Sequence, residues 1–486
     1  MHYVTGQDRE QTQFFTKLED LVSAKHYVRL IDLIAEKFYS ENASSFDKKG
    51  TQNVGRKAYS PACLLKLYIY GYLNGISSSR KLERECARNV ELMWLMSQLV
   101  PDHKTIADFR RDNSEAIKQS VLAFSQWLRQ GNYIKGDVIS IDGSKLRANA
   151  SRRFDIDHVT KKLQQLETQL QEYIDRISGN DQNDDDCERA QEEKGKLNQD
   201  ILQLQQEIHE LELKKNLLYQ ETAKTLSPTD PQARVMKSRQ GTHFCYNVQV
   251  VVDEQHKLIL CNNVLNHEND KGQLKPMVEQ AEKVLNKNPK EVLADAGYYQ
   301  LDHLEELESK NINCYVAIND NQEKVKEIEH GIKFEFHPEE NVYRCSQGQK
   351  LIPRNGLKKD TRRGTLAQAY KGINCEPCLI RSLCTKSEAR TIYRFTNNEW
   401  RERYRDKLES KAGRSKMKMR SSISEHVFGT LKSWMGHTPV LLRGKIKVQT
   451  EFNIYAIAYN FKRMLNVASF ENLENLYRPL PKKVSI

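Results

Sequence analysis

Gly136-Asp137-Val138-Ile139-Ser140-Ile141-Asp142-Gly143-Ser144 is a short, apolar, β-branched run that closes on an acid and a glycine. The pattern predicts a buried strand that delivers Asp142 to its own end. An unpaired buried carboxylate is costly, so Asp142 needs a cation, a base or hydrogen-bond donors around it. The arrangement recurs in Glu291-Val292-Leu293-Ala294-Asp295-Ala296-Gly297-Tyr298-Tyr299. A third acid, Glu425, stands in Ile423-Ser424-Glu425-His426-Val427-Phe428-Gly429-Thr430-Leu431-Lys432, which reads as a helix. The chain is expected to bring these three acids together.

Between the first two acids, Leu163, Leu166, Leu170, Tyr173 and Ile177 repeat at three and four residues, and so do Leu197, Ile201, Leu204, Ile208, Leu211, Lys215 (the one polar member) and Leu218. Two such runs around an acidic break predict an antiparallel helical hairpin, either an inserted arm or a dimerisation element. Ser227-Pro228-Thr229-Asp230-Pro231 marks a boundary. Runs at 244–253 and 257–265 read as a β-hairpin. Asp270 or Gly272 then opens a helix to about residue 285, and the Asp295 strand, a helix near 301–310 and a strand near 314–318 follow. This order matches an α/β, RNase H-like mixed sheet, interrupted by the helical hairpin and by a cysteine-bearing insert. The expected division is 1–130, helical; 131–157 with 225–330, sheet; 158–224, hairpin; 331–395, insert; 396–470, core with the Glu425 helix; and 471–486, tail.

Upstream, short apolar periodicities predict helices at 14–22, 30–38, 61–74, 80–89, 90–99, from 102 or 105 onward, and at 114–130. Ser60-Pro61 supplies an N-cap and a proline at the first helical position. Such a turn-punctuated all-α region suits a helix-turn-helix DNA-binding module or a dimerisation scaffold; composition does not separate them.

The chain has 486 residues, a net charge of +11 and 29% charged residues. That length suggests about two to four domains. No apolar region follows Met1-His2-Tyr3-Val4, which predicts no secretory signal, and no run approaches the roughly 20 apolar residues of a membrane helix. The expectation is a soluble intracellular protein with no membrane partner. The basic excess favours a polyanionic partner.

Three acids suit Mg2+ (or Mn2+), which prefers oxygen ligands and leaves positions for water and phosphate. Paired ions about 3.5–4 Å apart serve phosphodiester chemistry by activating the attacking oxygen and stabilising the leaving one. Asp253, Asp270 and Asp320 also lie near strand ends or loops, so pattern alone does not select the three. Cys345, Cys375, Cys378 and Cys384 have the spacing of a tetrahedral structural Zn2+ site, with reduced thiols as the alternative. Cys63, Cys86, Cys187, Cys245, Cys261 and Cys314 have no metal spacing. Lys411, Arg414, Lys416, Lys418, Arg420 and Lys432 flank Glu425, while Lys145, Arg147, Arg152 and Arg153 follow Asp142. Both clusters can neutralise phosphates, and Lys416, Lys418, Arg420, Lys145 and Arg147 are the DNA-binding candidates.

The segments Ile141-Asp142-Gly143-Ser144-Lys145-Leu146-Arg147-Ala148-Asn149-Ala150, Ala294-Asp295-Ala296-Gly297-Tyr298-Tyr299 and Glu425-His426-Val427-Phe428-Gly429-Thr430-Leu431-Lys432 resemble the acidic motifs of DDE transposases from bacterial insertion sequences. Thr229-Asp230-Pro231-Gln232-Ala233-Arg234, Tyr246-Asn247-Val248-Gln249 and Pro101-Asp102-His103-Lys104-Thr105 are similar to segments of that family too. The resemblance runs from about residue 55 to 465. It implies Asp142, Asp295 and Glu425 as metal ligands and Lys432 as a catalytic basic residue. The family's arginine falls one place off: Ser421 stands where it is expected, and Arg420 beside it. A similar cysteine cluster is known in the family. The implied activity is metal-dependent cleavage and strand transfer at the element ends and the target, on double-stranded DNA. The implied form is a homodimer on DNA in a bacterial cytoplasm, at the nucleoid when bound. The rivals are an RNase H-like nuclease without strand transfer and an inactive, transposase-derived DNA-binding protein.

Overall fold

The computed structural model describes residues 17–46, 58–150, 154–180, 188–220, 225–238, 241–318, 331–359, 366–395, 398–435 and 439–478. Phe14, Phe15, Arg152, Arg153, Cys187, Asp320 and the last eight residues of the tail lie outside these segments. The chain folds around one mixed sheet. Its central strand β1 spans Val138–Arg147, and the run Val138-Ile139-Ser140-Ile141 forms its buried half. Two short strands, β2 (Phe154–Asp155) and β3 (Thr225–Leu226), pair at the base of the helical hairpin, and β4 follows at Arg234–Ser238. The long β5 (Gly241–Asp253) pairs antiparallel with β1 along nearly its whole length. On the other side of β5 lie β4 and β6 (Ile259–Leu265), which share its length between them. β7 (Glu291–Ala294) pairs parallel with the first residues of β1, and β8 (Asn313–Val316) pairs parallel with β7.

One detail departs from the expected strand. β1 does not end at Asp142 but continues to Arg147, because β5 keeps pairing with it. What ends there is the parallel ladder: Ile141 opposite Ala294 is its last register pair.

Upstream helices are α1 (Tyr27–Asn42), α2 (Pro61–Leu73), α3 (Ser79–Cys86), α4 (Val90–Leu95), α5 (His103–Asp112) and α6 (Ser114–Gln130). α3 and α4 stop earlier than their periodicity suggested, at Ala87 and Met96. The hairpin is formed by α7 (Ile156–Asn180) and α8 (Glu188–Gln220), closed by Val159, Leu163, Leu166, Leu211 and Leu226. α9 (Leu274–Leu285) packs on β5 and β6, and α10 (Leu301–Ser309) on β8.

The helix over 445–467 was not read from the sequence, yet it ties the molecule together. Val448, Phe452, Ile454, Ala456, Ile457, Ala458, Phe461 and Met464 are all buried, as are the polar Thr450, Glu451, Asn453 and Asn460, so its middle is buried on every side, as in an interior helix. It packs on α2, α6 and β6, and the upstream helices and the sheet share one hydrophobic core. It also covers an open sheet edge. Asn460 bonds both the N–H and the C=O of Ile259 at 2.8 Å, and Gln449 accepts from Val264 N–H at 2.6 Å. At the opposite edge Tyr404 accepts from Val316 N–H at 2.8 Å. These side chains occupy edge groups of β6 and β8, which hinders their pairing with strands of other chains.

The insert holds more structure than its polarity suggested. Strands β9 (Phe334–His337), β10 (Val342–Cys345), β11 (Lys350–Lys359), β12 (Leu366–Gly372) and β13 (Thr391–Phe395) form a separate antiparallel sheet. Tyr343, Leu351 and Tyr370 make its small core. Among the described residues no helix is long and apolar enough to cross a membrane.

Candidate active site

Register alone juxtaposes the first two acids. Ile141 and Ala294 face each other across the parallel ladder, so the next residues, Asp142 and Asp295, leave it side by side. β5 holds Asp142 in the sheet opposite Val250, whereas Asp295 turns into a short 3-10 segment at Ala296–Tyr298. The Asp295 carboxylate accepts from Gly297 N–H at 2.8 Å, and Asp142 Oδ1 accepts from Gly143 N–H at 2.9 Å.

The helix over 411–435 crosses β1, β7 and β8 and presents Ile423, Ser424, Val427, Phe428 and Leu431 inward. Ser424 is fully buried; its hydroxyl donates to the Arg420 C=O at 3.2 Å and also stands close enough to the Asp142 carboxylate to favour its charged form. Burial pushes the Asp142 carboxyl above its ordinary value, and the Asp295 charge pushes the same way. The Ser424 hydroxyl, the Gly143 N–H and the Arg420 guanidinium oppose the rise. Arg420 bonds Ser421 Oγ at 3.3 Å, and its Nε is buried without a partner among the described residues.

Glu425 is one residue beyond Ser424, about 100° around the helix, and is exposed. Lys418 and Lys432 stand seven residues to either side and are exposed as well. Seven residues is close to two turns, so the three share one stripe. Lys432 Nζ lies 5.9 Å from the Phe428 ring centre. Two other basic candidates face inward: Lys416 pairs with Glu291, and Lys145 stands 3.7 Å from Asp270. Arg147 is exposed.

Asp270 is a carboxylate that the sequence reading placed at the start of a helix and weighed, with Asp253 and Asp320, as a rival that pattern alone does not separate from the three acids. It lies beside Gly143 and Gly297, the neighbours of the two aspartates. Tyr298, fully buried among Asp142, Asp295 and Asp270, donates its hydroxyl to Gln249. Burial, and then those three charges, hold its phenol far above the usual range.

Asp142 and Asp295 offer adjacent carboxylate oxygens that accept from the backbone N–H groups of Gly143 and Gly297, a set that suits an oxygen-preferring divalent cation. Among the described residues, however, no group of three or more His, Cys, Asp or Glu side chains is close enough to hold a metal. Glu425 is therefore not drawn in with the two aspartates. Cys345, Cys375, Cys378 and Cys384 all line one small cavity of the insert, with Phe334, Leu351 and Arg390, and none of the four is in a disulfide among the described residues.

Two family models match the chain: Transposase domain (DUF772) over residues 16–112, and Transposase DDE domain over 344–465. The first takes in α1 to α5; the second takes in the four cysteines and the Glu425 helix, while Asp142 and Asp295 lie between the two. No curated protein matches the chain. A cryo-EM structure of a piggyBac transposase synaptic complex with hairpin DNA aligns over 92% of this chain and 77% of its own, at 9% identity and a TM-score of 0.32. At that score the likeness carries no argument. The two family matches carry it: this chain resembles the DDE transposases of insertion sequences, and its function is that of a DDE transposase, an enzyme that acts on DNA and depends on divalent metal.

Proposed function

We propose that Asp142, Asp295 and Glu425 form the metal-binding acid set of this transposase, on an RNase H-like core. Strand order supports the core: three antiparallel strands, β6, β5 and β1, continue into the parallel β7 and β8. The observation that carries the acid assignment is the end of the parallel ladder at Ile141 and Ala294, which sets Asp142 beside Asp295. Ser424, close to the Asp142 carboxylate, anchors the helix that bears Glu425 next to them. A swing of the exposed Glu425 toward the aspartates on cation and DNA binding completes the set.

When bound, Mg2+ supplies Lewis acidity to the attacking and leaving oxygens of the phosphodiester. The chain's own groups do the rest. Asp142 and Asp295 hold adjacent ligand positions; Ser424 and Gly143 orient Asp142. Lys418 and Lys432, on the Glu425 stripe, receive the DNA backbone, and Arg420 offers a buried donor to a phosphate oxygen. The reaction is hydrolysis at insertion-sequence ends followed by strand transfer of the freed 3′-hydroxyl, performed by a homodimer on DNA. Cys345, Cys375, Cys378 and Cys384 would hold a structural Zn2+ once drawn together across the cavity they line, and the bound ion would supply a cross-link to the insert.

The test is nicking of end DNA in Mg2+. Asp142→Asn, Asp295→Asn and Glu425→Gln should each lower the rate about a hundred- to a thousandfold, the loss typical of removing one charge-stabilising group. DNA affinity should stay within about threefold. A variant that nicks at near wild-type rate removes that residue from the set.

A further inference from the structure

A third carboxylate is built into the pocket of the two aspartates. Asp270 lies in the loop between β6 and α9, with its side chain 18% exposed. Its Oδ1 accepts from Asn247 Nδ2 and Gln249 Nε2 at 2.7 Å each, and Lys145 Nζ stands 3.7 Å away. Asn247 and Gln249 are fully buried on β5, so this oxygen is fixed by the sheet itself.

The other oxygen faces the catalytic side. A Cβ on Gly297 would lie 3.3 Å from Asp270 Oδ2 and 3.0 Å from Asp295 Oδ1. A Cβ on Gly143 would lie 2.8 Å from Asp270 Oδ1. Asp270 thus spans the gap between the residue after Asp142 and the second residue after Asp295, and only glycine leaves it that room. The Tyr298 hydroxyl, within reach of all three charges, bonds the same Gln249 that holds Asp270. A carboxylate anchored through one oxygen and turned through the other toward a ligand is how groups behind a metal set its geometry.

We propose that Asp270 is a positioning residue of the cleavage reaction, one that fixes the spacing of Asp142 and Asp295 and orders, through Oδ2, the hydration shell of the cation they bind. This rests on the reading of Asp142 and Asp295 as cation ligands. It also gives Lys145 a role: without the Asp270 charge, its ammonium stands unpaired in the pocket and competes with the cation.

The experiment uses the intact protein and Mn2+ as probe. Mn2+ binding is titrated by electron paramagnetic resonance of the free ion without DNA, and nicking of end DNA is measured against Mn2+ concentration. Asp270→Asn should weaken Mn2+ binding about 10- to 100-fold, the range for groups behind a metal ligand. Half-saturation of nicking should shift equally, and the rate should largely recover at saturating Mn2+. Asp270→Ser should do the same, with little change in the metal-free melting temperature of either variant. Unchanged Mn2+ affinity, or a rate loss equal at every Mn2+ concentration, overturns the proposal. So does failure of both variants to fold, which would make Asp270 a residue of the fold alone. Asp142→Asn is the control for the underlying reading: if it binds Mn2+ like wild type, the cation site itself is misplaced. Loss of binding there with a normal Asp270→Asn sinks only the role of Asp270.

Discussion

Asn460→Ala tests how the sheet edge is held. Asn460 is buried, and its amide bonds the Ile259 N–H and C=O at 2.8 Å each. Truncation leaves that N–H buried without an acceptor, at a cost of about 1–3 kcal/mol. The carbonyl is not orphaned, because the Ser125 hydroxyl lies 3.3 Å away, so its loss is that of one ordinary bond, about 0.5–1.5 kcal/mol. The sum is roughly 1.5–4.5 kcal/mol. Ser125→Ala should cost only about 1 kcal/mol, since its single proton serves one of three carbonyls at a time. Urea unfolding followed by tryptophan fluorescence reads both, since Trp127 is buried in the same core. Asp142 lies two strands away across β5, so nicking per folded molecule should not change. A loss below about 1 kcal/mol for Asn460→Ala would show that solvent already satisfies the edge, and the capping argument would fall.

The metal-free protein should show an activity–stability conflict at Asp142. Its raised carboxyl pKa means that the folded chain holds this proton more tightly than the unfolded chain, whose ordinary value is 3.8. That contribution is present below the unfolded value and is lost as pH rises through the folded one. Asp142→Asn should therefore melt higher than wild type at pH 7.5 without metal, with the gap closing toward pH 4; an equal or lower melting temperature at pH 7.5 counts against it. Purified protein should carry about one zinc per chain, and Cys375→Ser with Cys378→Ser should lose it and expose 331–395 to protease. Zinc-free protein prepared without chelator would refute this. Neutralising Lys418 and Lys432 together should flatten the log–log salt dependence of DNA binding by up to about 1.8, while Lys416→Gln, already paired with Glu291, should leave it unchanged. A slope that responds to Lys416 instead would place the DNA on another face.

The sheet was legible because its strands carry period-two or continuous apolar runs: the 244–253 and 257–265 segments emerge as β5 and β6 with small shifts at their ends. The extent of β1 was not, since strand length past Asp142 is set by its partner β5 rather than by Gly143. Asp142 and Asp295 were singled out by local pattern together with the family resemblance of their segments. Asp270 was not, because its place depends on two glycines that are remote in sequence and on Asn247 and Gln249. The 445–467 helix escaped because a segment buried on every side carries no amphipathic stripe. The insert sheet escaped for the opposite reason: three large side chains suffice for its core, too few to lift a polar segment above its background.

The position of that last helix along the chain has a consequence for synthesis. α2 and α6 leave the ribosome early, but the 445–467 helix that completes their core emerges about 315 residues after α6. At about 5–20 residues per second the wait is roughly 15–60 s. Throughout it, the nascent chain exposes the apolar faces of α2 and α6, and for its later part also an uncapped β6 edge. Prematurely terminated products therefore stay unfolded bait for chaperones and proteases, and no fragment ending before residue 445 reaches DNA as a working nuclease.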